Sequence, residues 1–350
     1  MMTNFFDTKV SEPSAESLKS AAELLKKGEV VGIPTETVYG LAANAYDIAA
    51  IRKIFLAKGR PQDNPLIVHI DQIDQMNELA NEVPQIALHL AEAFWPGPLT
   101  MILPKSEQVP TETTGGLDTV AIRMPSHPTA RALIRACGFP LAAPSANLSG
   151  SPSPTSADHV LHDMSGKIPM ILDGGACTVG VESTVIAVYP QKVRVLRPGG
   201  VTVEMLQSIV PQVEIDDGVL QMVAQDAVVA SPGMKYKHYS PKANVMILEG
   251  EFSLFSDYIA RYAKEGSYAL VFEGEEKLVS IPSLAYGKQE DGLSQAQGLF
   301  AALRKVDEYG ATTVYTRCPD KKGVGLAVYN RLIRAAGFQV IKLGKDGNQR

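Results

Sequence analysis

Side chains that can hold charge or share hydrogen bonds gather in five short segments of the 350-residue chain. PTETVYGLAANA (34–45) sets Thr35, Tyr39 and Gly40 directly after an apolar run; taken alone, it also reads as a tight turn using the glycine. KGRPQDNPLIVHI (58–70) places Lys58 and Arg60 at an expected helix end, with His69 closing the next strand. The helix dipole explains one cation there better than two. DTVAIRMPSHP (118–128) carries Arg123 inside an apolar strand, where a buried guanidinium must meet a carboxylate or a ligand anion. APSANLSGSPSPT (143–155) ends a strand in small hydroxyl and amide residues, and VESTVI (181–186) with VLRPGG (195–200) adds Ser183 and Arg197. This set has fixed cations, hydroxyls and one imidazole but no obvious protein nucleophile. It suits positioning of a polyphosphate and stabilisation of charge at phosphorus, not covalent catalysis.

The elements that must position these residues follow from periodicity. Leu18, Ala21, Ala22 and Leu25 predict a helix stopped by Gly28, and Val30–Ile33 a strand ended by Pro34. Asp47 caps a second helix through Ile48, Ile51 and Phe55 that runs out at Lys58 and Gly59. Further strands are expected at 66–70, 99–103, 120–124, 140–143, 169–172, 183–188 and 193–196, and helices around 84–94, 128–137 and 156–164. The fold class is therefore α/β, a twisted mixed sheet with helices packed on it. After a change of character at 211–242 the pattern restarts as a β-α-β rhythm. The expected organisation is a catalytic domain over 1–210, a linker or lid over 211–242, and a smaller Rossmann-like α/β domain over 243–350.

Composition bounds the function. There are 33 Lys and Arg against 38 Asp and Glu, a net charge of −5. That excludes a chain dominated by electrostatic grip on nucleic acid, though not a local basic cleft. No apolar run reaches the ~18 residues of a membrane span, and the N-terminus lacks a secretory layout. Cys137, Cys177 and Cys318 are odd in number and far apart, so a reducing cytoplasm is the expected compartment. P-loop, GxSxG and HExxH patterns are absent. Gly323-Val-Gly325 lacks a third glycine, and His159 with His162 lacks a third metal ligand, so both read as structural.

Together the segments resemble the YrdC-like family of L-threonylcarbamoyladenylate synthases in its long two-domain form. PTETVYGL, NPLIVH, FWPGPLT, VAIRMP and SPGMKYKHYSP carry the likeness, with the family's Lys-x-Arg at Lys58 and Arg60 and its Ser-x-Asn at Ser145 and Asn147. The resemblance is close over roughly 15–245. It implies that L-threonine, bicarbonate and ATP yield threonylcarbamoyl-AMP and pyrophosphate. The product would serve threonylcarbamoyl-adenosine modification of tRNA, with the final transfer made by a separate complex. It implies catalytic roles for Lys58 and Arg60 on phosphate charge. ATP would meet Thr119, Ser145, Asn147, Ser153, Arg197 and Tyr236; threonine would meet Thr35, Tyr39, His69, Arg123, Ser183 and the backbone of Ala143. Mg²⁺ would arrive with ATP, its protein ligands unnamed. Lys235, Tyr236, Lys237, His238 and Tyr239 are expected to fold over the cleft as a lid, which ending the chain after residue 210 would test. The competing expectation is an RNA-binding module without chemistry of its own; threonine-dependent pyrophosphate release separates the two. Direct tRNA binding, oligomeric state and threonine-over-serine preference are not legible.

Overall fold

The computed structural model describes residues 6–62, 64–221 and 239–344. They fall into two compact units, one up to Ser149 and from Ser153 to Val219, the other holding Gly150–Pro152 and the chain from Tyr239 onward.

The larger unit runs β1 (Lys9–Ser11), α1 (Ala15–Lys26), β2 (Val31–Ile33), β3 (Gly40–Asn44), α2 (Ile48–Lys58), β4 (Ile67–His69), α3 (Met76–Leu79), α4 (Gln85–Phe94), β5 (Leu99–Pro104), α5 (Thr111–Thr114), β6 (Thr119–Arg123), α6 (Pro128–Cys137), β7 (Leu141–Ala142), α7 (Ala157–Met164), β8 (Met170–Leu172), β9 (Thr184–Val188), β10 (Val193–Arg197), α8 (Val203–Gln207) and β11 (Val213–Ile215). Local chemistry sets the ends of the helix that matters most to the site. Asp47 accepts hydrogen bonds from the N–H groups of Ala49 and Ala50, and Gly59 takes the left-handed conformation (φ 61°) that stops α2 just after Lys58.

The strands form one mixed sheet in the order β1, β8, β2, β3, β7, β4, β6, β5, β9, β10, β11. Strand alternation divides its centre into two faces. Leu66, Val68, Ile70, Val120, Ile122, Leu99, Met101 and Leu103 point into the main core, where Ile51, Ile54 and Phe55 of α2 and Leu90 of α4 cover them. Each such buried side chain contributes about 1.5–3 kcal/mol. The opposite face carries only a small separate apolar group: Ile67, Ile102, Ala121, Val185 and Leu196.

The smaller unit runs β12 (Asn244–Glu249), α9 (Phe252–Tyr262), β13 (Ser267–Val271), β14 (Ser283–Ala285), α10 (Gly292–Glu308), β15 (Thr313–Arg317), α11 (Gly323–Ala335) and β16 (Val340–Lys342). Its strands lie in the order β14, β13, β15, β12, β16, all parallel. The chain is α/β throughout, a large twisted mixed sheet and a second, parallel one.

Several short elements (β1, α3, α5 and α8) were not expected, and two segments reverse an expectation. Residues 40–44, read as part of a polar turn, form β3 (GLAAN), which pairs between β2 and β7. Part of the segment expected as linker is also regular: Val213–Ile215 pairs in parallel with Val193–Val195, and its polar alternation is that of a sheet-edge strand. No helix among the described residues is long and apolar enough to cross a membrane.

Candidate active site

The sheet register assembles the site. His69 of β4 pairs with Arg123 of β6, Arg123 with Thr100 of β5, Thr100 with Val185 of β9, and Val185 with Arg197 of β10. Register partners share a face, so four strands contribute polar side chains to one row. The next row inward is apolar: Ile67, Ala121, Ile102 and Ala187. The ladder shifts between Val195 and Arg197, and this bulge turns Arg197 toward Ser183. Gly199 then lies hard against β9: a Cβ there would sit 2.2 Å from the Thr184 nitrogen and 2.5 Å from the Ser183 carbonyl carbon.

Arg123 is buried and held from three sides. Its Nη2 stands 2.6 Å from Glu36 Oε1, Nη1 donates to Thr37 Oγ1 at 2.8 Å, and Nε donates to the Gly97 carbonyl at 3.4 Å. The Glu36 contact is an ion pair by distance without aligned hydrogen-bond geometry, and Glu36 Oε2 has no hydrogen-bond partner among the described residues. Burial pushes the Glu36 carboxyl up, but the adjacent charge of Arg123 outweighs this and holds it below the ordinary carboxylate value. Glu36 and Thr37 lie within PTETVYGLAANA, where the sequence alone gives them no distinguishing mark. The usable signal was the need of buried Arg123 for an anion; nothing in the sequence chose Glu36 over Glu182.

Hydroxyl directions follow from proton counting. Thr35 Oγ1 donates to the Val38 carbonyl at 2.6 Å, so Thr37 must donate across the 2.8 Å contact between the two hydroxyls. A one-way chain results, from Arg123 through Thr37 and Thr35 to Val38. With the Thr37 N–H also entering it at 3.2 Å, Thr35 Oγ1 has its donor and both acceptor positions filled. Tyr39, fully buried, receives the Gly174 N–H at 3.1 Å and donates to the Gly175 carbonyl at 2.7 Å. Burial first, then the charge of Asp173, raises its phenol pKa, so it stays neutral.

His69 is 2% exposed and its Nδ1 stands 3.2 Å from the Ile67 carbonyl. Burial, followed by the charge of Arg123, pushes its pKa down to about 3. It is a neutral imidazole at physiological pH. Cys177 is also near these charges; burial, then Glu36, pushes its thiol up to about 12, so it supplies no thiolate.

The remaining candidates divide between two places. Lys58, 3% exposed, donates its ammonium to the Ser145 carbonyl, to the Asn147 carbonyl at 2.7 Å and to Asn147 Oδ1 at 3.4 Å. The cation thus ties the end of α2 to the loop after β7. Arg60 is half-buried, with Nη2 donating to the Pro65 carbonyl at 3.4 Å and its guanidinium 5.9 Å from the Phe55 ring. Thr119 opens β6, four residues from Arg123, so about 13 Å separates them along the strand. Ser145 bridges Gly40, and Ala143 donates its N–H to the Ile67 carbonyl at 3.0 Å. Ser153 donates to Glu182 Oε1, and both are buried. Ser183 Oγ shares a 2.7 Å hydrogen bond with Thr100 and accepts from Arg197 Nη2 at 3.2 Å. His69, Arg123, Ser183 and Arg197 therefore share one edge of the face; Lys58 meets Ser145 and Asn147, while Thr119 stands apart along β6. Tyr236 and lid residues 235–238 lie outside the described residues.

His159 and His162 are not paired on a metal: His159 Nδ1 accepts from the Thr155 N–H at 3.2 Å, and exposed His162 lies 2.9 Å from Asp163. No group of three or more His, Cys, Asp or Glu side chains among the described residues could hold a metal ion.

Comparison with known proteins bears on this geometry. The family model described as "Telomere recombination" (Sua5, YciO and YrdC) matches residues 23–199, and that described as "Threonylcarbamoyl-AMP synthase, C-terminal domain" matches 201–337. A threonylcarbamoyl-AMP synthase of Pyrococcus abyssi is 45% identical, covering 93% of this chain and 96% of its own; one of Bacillus subtilis is 46% identical, covering 93% and 94%. The crystal structure of P. abyssi Sua5 complexed with L-threonine superposes with a TM-score of 0.89 at 42% identity, covering 97% of this chain and 99% of that one. With both domain models matched in order along one chain, and relatives of nearly the same extent, the chain belongs to the two-domain threonylcarbamoyl-AMP synthase family.

Proposed function

We propose that this chain joins L-threonine, bicarbonate and ATP into L-threonylcarbamoyladenylate, releasing pyrophosphate. The product would then pass, in the cytoplasm, to a separate complex that modifies tRNA. The observation that carries this reading is one shared sheet face: the buried Arg123 guanidinium, with its donors fixed, stands in a row with His69 and Arg197, an apolar floor lies next to it, and Thr119 follows about 13 Å along β6. A face of that length has room for an amino acid and a nucleotide side by side, with Arg197 near both.

The threonine carboxylate meets Arg123, whose five N–H groups are not exhausted by Glu36, Thr37 and Gly97. Thr35 acts through Thr37, keeping the guanidinium plane fixed. His69, Tyr39, Ser183 and the backbone at Ala143 wall the amino acid. The amine adds to carbon dioxide released from bicarbonate, forming a C–N bond and giving up one proton to bicarbonate or solvent. The carbamate is short-lived in water, and the floor of Ile67, Ile102, Ala121, Val185 and Leu196 keeps water off it. A carbamate oxygen then attacks the α-phosphorus of MgATP in line. A new O–P bond forms, the bond to the β-phosphate oxygen breaks, and pyrophosphate leaves with that electron pair. Lys58 and Arg60 stabilise the charge on phosphate; Thr119, Ser145, Asn147, Ser153, Arg197 and Tyr236 hold the nucleotide. Magnesium enters as part of the substrate, on the triphosphate oxygens.

Incubation with labelled bicarbonate, ATP and single amino acids tests the reading. Label should enter an adenylate only when threonine is present, with one pyrophosphate per adenylate. Nucleotide turnover indifferent to threonine, or RNA binding without any adenylate, would overturn it.

A further inference from the structure

The smaller unit contains a cavity of about 690 Å³ that plays no part in the chemistry above. Its position is set by topology. The chain leaving β12 crosses past β15 to reach β13, and the chain leaving β15 crosses past β12 to reach β16. Neighbouring parallel strands whose connections depart in opposite directions open a crevice at their carboxyl ends. The cavity lies there, lined by Glu249 at the end of β12, Arg317 at the end of β15, Gln295 of α10, and Lys322 and Val324 at the start of α11.

Two acceptors at this cavity lack partners among the described residues. Gln295 is 1% exposed; its Nε2 donates to the carbonyls of Lys288 (2.7 Å) and Gln289 (2.9 Å), while Oε1 takes no hydrogen bond. Glu249 pairs through Oε1 with Lys321 at 2.6 Å, and its buried Oε2 has no hydrogen-bond partner. Both oxygens call for donors. The other pole is the start of α11. Lys322 caps α11 without a side-chain hydrogen bond, and no acidic residue occupies the first turn. Its N–H groups and exposed Lys322 favour an anion, while Lys321 is already paired with Glu249 and Asp320 also lines the cavity there. Gly292 and Gly325 let the two helix starts close up: a Cβ on Gly292 would lie 2.8 Å from the Gly325 nitrogen, and one on Gly325 2.5 Å from the Asp320 carbonyl oxygen. Arg317 is already committed, to Glu275 at 3.1 Å and to the Gly250 carbonyl at 2.8 Å, among the rings of Phe252, Phe255 and Phe272.

We propose that this crevice binds a nucleoside monophosphate, with its phosphate at the first turn of α11 and its hydroxyls on Glu249 and Gln295. The ligand must carry an anion at one end and hydrogen-bond donors at the other. The volume is that of a small-molecule pocket, roughly 300–1,000 Å³, and far exceeds what inorganic phosphate alone would fill.

Hydrogen–deuterium exchange on the full chain with AMP tests the proposal. AMP should slow exchange of the amides over 318–326 and of the first turn of α10. Lys322→Glu, an exposed change that puts a carboxylate at the anion position, should weaken AMP binding by about tenfold or more. Glu249→Gln should weaken AMP while leaving the weaker protection by inorganic phosphate unchanged. Unaltered exchange in β12 and β15 without ligand confirms that each variant is folded. Absence of protection at millimolar AMP, undiminished protection in Lys322→Glu, or phosphate protecting as well as AMP would overturn the assignment. None of these readouts depends on adenylate synthesis, so failure here leaves the proposed reaction untouched, and the reverse also holds.

Discussion

Glu36 brings a carboxylate to within 2.6 Å of the guanidinium that is proposed to receive the substrate's own. Both side chains are almost wholly buried, at 4% and 6% exposure, so each depends on the other's charge. Arg123→Ala would strand the Glu36 charge and should cost about 3–5 kcal/mol of stability in urea unfolding. Arg123→Lys keeps a charge but loses the planar fork. We predict that it raises the KM for threonine far more than that for ATP; equal shifts would contradict the carboxylate role. His69 gives a second prediction. Its folded pKa of about 3 lies below the unbound value of 6.5, so the unfolded chain binds the extra proton. Its contribution to stability is therefore complete above about pH 6.5 and is lost as pH falls toward 3, at up to ~1.4 kcal/mol per pH unit. His69→Gln should remove one proton from that acid-limb slope, while kcat shows no inflection near pH 6.5 traceable to this residue. At this scale the sequence revealed the cations, because a charge in an apolar strand is conspicuous. It hid their partners, because Glu36, Thr37 and Thr100 look like ordinary polar residues until the register brings them to Arg123.

Elements decide how these residues are aimed. The helix α2 was legible because Asp47 and Gly59 mark its ends, and its last residue, Lys58, then reaches the loop after β7. Lys58→Ala should slow adenylate formation by a few kcal/mol in barrier, the scale of one lost preorganised charge contact. Near-normal turnover would remove Lys58 from the phosphate site. The turn after β10 depends on Gly199, which admits no side chain beside Thr184. Gly199→Ala should destabilise the fold by about 1–3 kcal/mol, read as a lower Tm, and raise the KM for ATP through displacement of Arg197. An unchanged melting curve would show that this turn is not pressed against β9. β3 and β11 escaped the sequence because runs of five and three residues, GLAAN and VEI, carry almost no periodic signal; only their neighbours in the sheet make them strands. β11 also moves the cut that tests the lid. Ending the chain after residue 210 would strip an edge strand as well, so the cut belongs after Gln221.

Across the whole molecule, one unit carries the proposed adenylate chemistry and the other a separate crevice of nucleotide size. The α/β class and the β-α-β rhythm of the second unit could be read from hydrophobic spacing alone. The strand order could not, since residues as distant as Thr100 and Ser183 meet only through long-range pairing. That pairing also underlies the central claim, that amino acid and nucleotide share one face of the large sheet. The most direct test is a crystal structure with L-threonine and a non-hydrolysable ATP analogue bound together. The account predicts the threonine carboxylate on Arg123, its amine over the Ile67–Ala121 floor, and the α-phosphate on the same face, approached in line from that amine's side. Threonine and the analogue bound on opposite faces of the sheet, or threonine bound away from Arg123, would contradict it.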